Sequence, residues 1–296
     1  VWYDSTNADF KYQYPNLTTA GAWSTGGSLN TARGALAGAG TQSAGLAFGG
    51  GYPAKANTES YNGSSWTEVA DLNTARASLA GTGTQTAALA FGGNPVRSLT
   101  ESWNGSSWTE VADLNTGRDN LGSATAGTNT AALAFAGSAP SETANTELWN
   151  GSSWTEVNNL NTATRGVAGA GTSTSALSSG GANPGITANT EQYNGTSWTE
   201  VNNLNTARRN LAGAGINNTS AIVYGGYSTG YVGVTEEWNG TSWTEVADMA
   251  TGRSESSSIG SLTSALAGGG YNGSYLTTTE EWTGAGSPAI RTITTD

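Results

Sequence analysis

The pentapeptide Ser-Trp-Thr-Glu-Val returns five times, and its tryptophans are Trp66, Trp108, Trp154, Trp198 and Trp243. Trp23 opens the series in the looser form Ala-Trp-Ser-Thr-Gly, and successive tryptophans stand 42 to 46 residues apart. A fixed period of this length is the mark of a repeat architecture, in which one supersecondary unit is copied and stacked. The rest of the unit repeats in register. Each Trp is followed by Leu-Asn-Thr-Ala-Arg or a close variant, giving Arg33, Arg76, Arg118, Arg165, Arg208 and Arg253. A stretch of Ala, Gly and Thr comes next, then a short apolar run ending in a glycine pair, as at Gly49–Gly50 and Gly225–Gly226. After a loop of variable length comes Thr-Glu-x-aromatic, with Glu59, Glu101, Glu147, Glu191, Glu236 and Glu280 two residues before a Tyr or Trp. Five copies then close with Asn-Gly.

Each unit reads as four short strands. The density of Gly and Thr disfavours helix, and Asn-Gly between aromatic residues is a strong hairpin signal. The strands are named a (after the Arg), b (ending in the glycine pair), c (Glu-x-aromatic) and d (Ser-Trp-Thr-Glu-Val). A four-stranded unit of this size cannot bury both faces alone. Radial stacking solves this and predicts an all-β, six-bladed β-propeller; a linear β-solenoid is the alternative. The last unit lacks its strand d, whereas a spare one sits at Ala22–Thr25, so Trp23 is expected to complete the last blade and close the ring. The propeller is expected to span 20–286, flanked by an N-terminal segment, 1–19, and a β-prone C-terminal segment, 287–296, which could pair with each other, dock on the ring or join a larger assembly.

The order of Arg, glycine pair, Glu-x-Tyr/Trp and Trp resembles the kelch repeat, and the resemblance covers residues 20–286. It implies a propeller with compact blades. Arrays rich in Thr, Asn and Gly are also similar in style to kelch-like proteins of marine bacteriophage virions and bacterial surfaces. Some kelch-like propellers are enzymes, but galactose oxidase-like ones need His and Cys around copper. This chain has neither, and the sialidase-like Asp-box is absent. The Glu residues recur identically in every unit, as structural residues do. The expectation is therefore a binding domain without catalytic residues, cofactor or metal.

Composition narrows the partners. Leu, Ile, Val and Phe make up only 40 of 296 residues, and the net charge is −11. That balance would suggest disorder, were it not for 11 Trp and 11 Tyr placed periodically. An acidic chain with two lysines, Lys11 and Lys55, is a poor partner for nucleic acid or anionic membrane. No apolar run approaches a membrane span. The chain does not begin with Met, which suggests a processed form or a fragment.

The repeated residues and the variable ones point to different roles. The six strand-d tryptophans are read as packing between blades, with sugar stacking as the alternative. The six arginines are read as partners of the strand-c glutamates, with anion recognition as the alternative. The Asn-Gly-Ser/Thr sequons are turn chemistry. The b–c loops differ from copy to copy, and loops on a rigid scaffold carry specificity. Tyr52, Arg97, Tyr227, Tyr231, Tyr271 and Tyr275 are the side chains there best suited to bind a ligand, because Tyr offers a flat face and a hydroxyl at low entropic cost. Two roles are open: a phage tail-fibre or surface-adhesin domain binding host glycan or protein, or a structural decoration domain of a virion or surface assembly. Either would place the chain on a virion or cell surface, with homo-oligomerisation possible.

Overall fold

The computed structural model describes residues 2–4, 9–11, 16–17, 20–286 and 288–289. Within 20–286 it is a six-bladed β-propeller. Blade 1 comprises strands a to d at Ala37–Thr41, Ala44–Phe48, Thr58–Tyr61 and Trp66–Val69. Blades 2 and 3 follow at Ala80–Thr84, Ala87–Phe91, Thr100–Trp103 and Trp108–Val111, then Gly122–Ser123, Ala132–Phe135, Thr146–Trp149 and Trp154–Val157. Blade 4 is built from Ala168–Thr172, Ser175–Ser179, Thr190–Tyr193 and Trp198–Val201, and blade 5 from Ala212–Asn217, Ser220–Tyr224, Thr235–Trp238 and Trp243–Glu245. Every blade is an antiparallel sheet in the order a-b-c-d.

Blade 6 takes strands a to c from Ile259–Ser261, Ser264–Gly268 and Thr279–Thr283, and its strand d is Ala22–Gly26. Trp23 lies opposite Trp282, as each strand-d Trp lies opposite the strand-c aromatic of its own blade. The chain's start thus completes its last sheet, as the strand count predicts. Outside the ring, Asn16–Leu17 pairs with Pro288–Ala289, and Trp2–Asp4 pairs with Asp9–Lys11. Pairing of the two end segments, one of the open alternatives, is thus present at Asn16–Leu17 and Pro288–Ala289.

Strand a of each blade touches strand a of both neighbours, and the circuit closes from blade 6 to blade 1. This crowding explains the Ala and Gly content. A Cβ on Gly81 would lie 2.4 Å from the Phe48 ring, and one on Gly38 would lie 2.4 Å from Ile259. Most side chains along the inner strands are accordingly small, and Phe, Tyr and Trp supply the bulk farther from the axis.

Two rings of hydrogen bonds hold the blades together. The first is backbone only. Ser78 N–H donates to Ala35 O, Asn120 to Ser78, Gly166 to Asn120, Asn210 to Gly166, Glu255 to Asn210 and Ala35 to Glu255, at 2.7 to 2.9 Å. All six residues have φ between 51° and 64°. That is the left-handed region, unusual for the five that are not glycine. The second ring uses the tryptophans. The indole N–H of Trp108 donates to Thr58 Oγ1, Trp154 to Thr100, Trp198 to Thr146 and Trp243 to Thr190. Each acceptor opens strand c of the preceding blade. Trp23 donates to Thr235 and Trp66 to Thr279, carrying the ring across the join between the chain's ends.

Four of these indoles also pack edge-on against the preceding blade's strand b, with Phe48–Trp108, Phe91–Trp154 and Phe135–Trp198 centroids 4.9 to 5.0 Å apart and Tyr224–Trp23 at 5.0 Å. Burial of the indole and satisfaction of its N–H therefore occur in one contact. Trp23→Ala removes this contact at the closing strand and is expected to cost about 3 kcal/mol. Ser24→Ala, at an exposed position of the same strand, should change stability by less than about 0.5 kcal/mol. Denaturant unfolding of the two variants checks this, and equal stabilities would show that the strand does not lock the ring.

Candidate functional site

The repeated arginines lie inside the blades. Arg33, Arg76, Arg118, Arg208 and Arg253 are each 0% exposed and pair with Glu59, Glu101, Glu147, Glu236 and Glu280 at 2.6 to 3.1 Å. The second carboxylate oxygen accepts from the backbone N–H and side-chain amide of Asn30, Asn73, Asn115 and Asn205, and in blade 6 from the Ala250 N–H. Burial pulls these guanidiniums down, Arg208 to about 10, and the paired glutamates oppose the shift. Being buried, these five cannot touch a ligand directly. They staple the loop between blades to strand c.

Arg165 departs from the expected set. The segment Leu160-Asn161-Thr162-Ala163-Thr164-Arg165 carries its Arg one residue late, so Thr164 holds the place of Arg33 and its equivalents. Backbone bonding fixes that register. Thr164 N–H donates to Thr143 O as Arg118 N–H donates to Arg97 O. Arg165 instead points outward, its side chain 39% exposed, and pairs with Glu142 of a b–c loop at 3.0 Å.

The b–c loops and the loops from strand d to the next strand a share one face of the ring. The loops of blades 5 and 6 read Tyr227-Ser-Thr-Gly-Tyr231 and Tyr271-Asn-Gly-Ser-Tyr275. Each is a tight turn that brings its two tyrosines opposite each other. The four rings form a continuous arc. Centroids of Tyr227–Tyr231, Tyr231–Tyr271 and Tyr271–Tyr275 are 5.3, 5.6 and 5.2 Å apart, the first two edge to face. Tyr52 of blade 1 extends the arc, its N–H donating to the Tyr275 hydroxyl at 2.9 Å. Tyr52 and Tyr231 are 47% and 37% exposed, large values for aromatic side chains in this molecule. Arg97 sits in blade 2 and does not join the cluster: its backbone carbonyl receives Arg118 N–H, and its Nε is buried without a partner.

Beneath the arc lies a cavity of about 320 Å³ lined by Tyr227, Tyr231 and Tyr271 together with Arg209, Asn210, Ser254 and Glu255. Sequence reading missed Arg209, Asn210 and Glu255, which belong to the loops joining blades. Arg209 lies over the Tyr227 ring at 5.5 Å, and its Nε is buried without a hydrogen-bond partner. Asn210 Nδ2 donates to Glu255 Oε1 at 3.2 Å. Among the described residues no ion pair joins Arg209 to Glu255, so a cation and a carboxylate face one cavity within electrostatic range but not in direct contact. The left-handed backbone at Asn210 and Glu255, part of the hydrogen-bonded ring, fixes where both side chains start.

Burial holds the Glu255 carboxyl above its ordinary value of 4.5, while Asn210 and Arg209 pull it down. Between the unfolded and folded values the native state therefore binds more protons than the unfolded state. Stability contributed by this group falls as pH rises through that window and is flat above it. Glu255→Gln removes the titration, so the variant should gain stability relative to the parent as pH rises above 4.5, measured by denaturant unfolding at several pH values. A difference that stays constant with pH would contradict the assignment.

Comparison with models of known protein families finds no match, and a search among curated proteins finds none either, so the kelch-like order of residues stands as a likeness of the repeat.

Proposed function

We propose that the chain is a non-catalytic recognition domain of kelch-like type that binds a glycan through the tyrosine arc of blades 5, 6 and 1. β-Propellers commonly serve as binding modules, and here one observation carries the reading: the open polar cavity under Tyr231, with aromatic faces, an arginine and a carboxylate converging on it. Tyr rings stack on the C–H faces of sugars, while Arg209, Asn210 and Glu255 supply donors and acceptors for hydroxyls. An apolar peptide side chain would leave those groups unpaired, at a cost in desolvation. The five buried Arg–Glu pairs do not contribute to contact; they keep the loops rigid, so that little ordering entropy is lost on binding. A surface role on a virion or cell, of tail-fibre or adhesin kind, fits an acidic, Thr- and Gly-rich repeat whose variation is concentrated in the loops of one face.

A glycan array probed with the parent protein tests this. Tyr231→Ala and Tyr275→Ala are each expected to weaken the strongest signal at least about tenfold. Thr67→Ala, exposed on the outer strand of blade 1, should leave it unchanged. Cell or glycan binding that persists after all six b–c loops are replaced would sink the reading, whereas a parent protein that binds no glycan and no host cell would favour a decoration domain without its own ligand.

A further inference from the structure

Blade 4 is built to hold a buried arginine but has none. In the other blades the guanidinium occupies a nest of oxygens. Arg76 Nη1 donates to the carbonyls of Gly92 and Leu99, and Nη2 donates to Ala90 O and Glu101 Oε1. Arg33 and Arg253 repeat the pattern on Gly49 and Asn57 and on Gly269 and Thr278. The corresponding residues in blade 4 are Gly180, Asn189, Ser178 and Glu191. They line a cavity together with Thr164, which stands where the arginine would begin.

Glu191 is 4% exposed and held as its counterparts are, by the Asn161 backbone and side chain at 2.8 Å and by Thr162 N–H at 3.1 Å. Among the described residues no cationic group lies within ion-pair distance of it. The Thr164 hydroxyl donates elsewhere, to Ala182 O at 3.3 Å, and Arg165 is committed to Glu142. A buried carboxylate without a counter-charge is costly.

The geometry points to a monovalent-cation site in blade 4, formed by the Glu191 carboxylate and the carbonyl oxygens of Gly180 and Asn189, in which a potassium-sized ion stands in for the missing guanidinium. Size and charge set the class. The cavity is about 10 Å³, the space taken by the centre of a single water-sized particle. One carboxylate balances one positive charge, and carbonyl dipoles replace the hydration shell of such an ion. A divalent ion such as calcium or magnesium would leave a net positive charge buried beside the single carboxylate.

Thermal unfolding at constant ionic strength tests the site, with potassium chloride replacing choline chloride, whose cation is too large to enter. Potassium is expected to raise the Tm of the parent protein saturably, by about 3 °C. Thr164→Arg restores the internal cation and recreates the Arg-Arg pair seen at Arg208–Arg209. It should melt higher in choline chloride than the parent does and lose the potassium response, and Glu191→Gln should lose the response as well. Crystals soaked in rubidium chloride should show an anomalous peak between Glu191 and the Gly180 carbonyl, a readout that does not depend on any variant folding. No rubidium peak there, or a potassium response that survives in Thr164→Arg, would overturn the proposal and leave water as the filling of the cavity.

Discussion

A tryptophan that reaches backward into the preceding blade is the contact on which the ring depends. Its indole N–H needs a partner once buried, and the partner is always the threonine opening strand c of the neighbour. Placement of the indole also fills the space between sheets that the Ala- and Gly-rich inner strands cannot fill. Nearer the axis, the left-handed residues from Ala35 to Glu255 pass a backbone hydrogen bond from blade to blade. The two rings clamp each pair of blades at different radii. Both are circular, so neither is complete unless the last blade meets the first.

This division of labour explains where the copies agree and where they differ. Tryptophan, threonine, arginine and glutamate carry the scaffold, and they repeat because each blade meets the same neighbours. Tyr227, Tyr231, Tyr271 and Tyr275 project from loops whose two ends are fixed by that scaffold, so their identities vary without cost to the ring. The arc exists because blades 5 and 6 place a Tyr-x-x-x-Tyr turn at the same position and lie side by side. Blade 4 has the same turn with Ala182 and Ile186 in those places, and there the aromatic arc stops.

Much of the fold was legible in the sequence because its determinants are local or periodic. Asn-Gly marks the c–d hairpin directly: in each of the five turns the Asn side chain accepts the N–H groups two and three residues on, as Asn62 does from Ser64 and Ser65. The tryptophan period and the spare strand at Trp23 fixed blade number and closure. Arg165 shares the identity of the other arginines but not their register, and counting from Leu160-Asn161-Thr162 gives Thr164 as the equivalent position. The site was half legible. Its tyrosines stand in obviously variable loops, but Arg209, Asn210 and Glu255 lie beside the shared arginine inside the repeated segment, where nothing marks them as variable. The doubled Arg208–Arg209 was the available signal. The backbone ring left little trace, since Ala35, Ser78 and Glu255 are not residue types that announce a left-handed conformation.

Closure of the ring by the N-terminal strand is the claim on which the rest stands, and a cross-link tests it most directly. Ala22 and Thr283 lie opposite each other across that join, at a spacing typical of antiparallel pairs, which a disulfide can bridge. The chain has no cysteine of its own, so an Ala22→Cys/Thr283→Cys variant has one possible intramolecular bridge. The account predicts that mild oxidation converts the monomer quantitatively to this bridged form and that its Tm then rises above that of the reduced form. Two free thiols after oxidation, or dimers linked between chains, would contradict it.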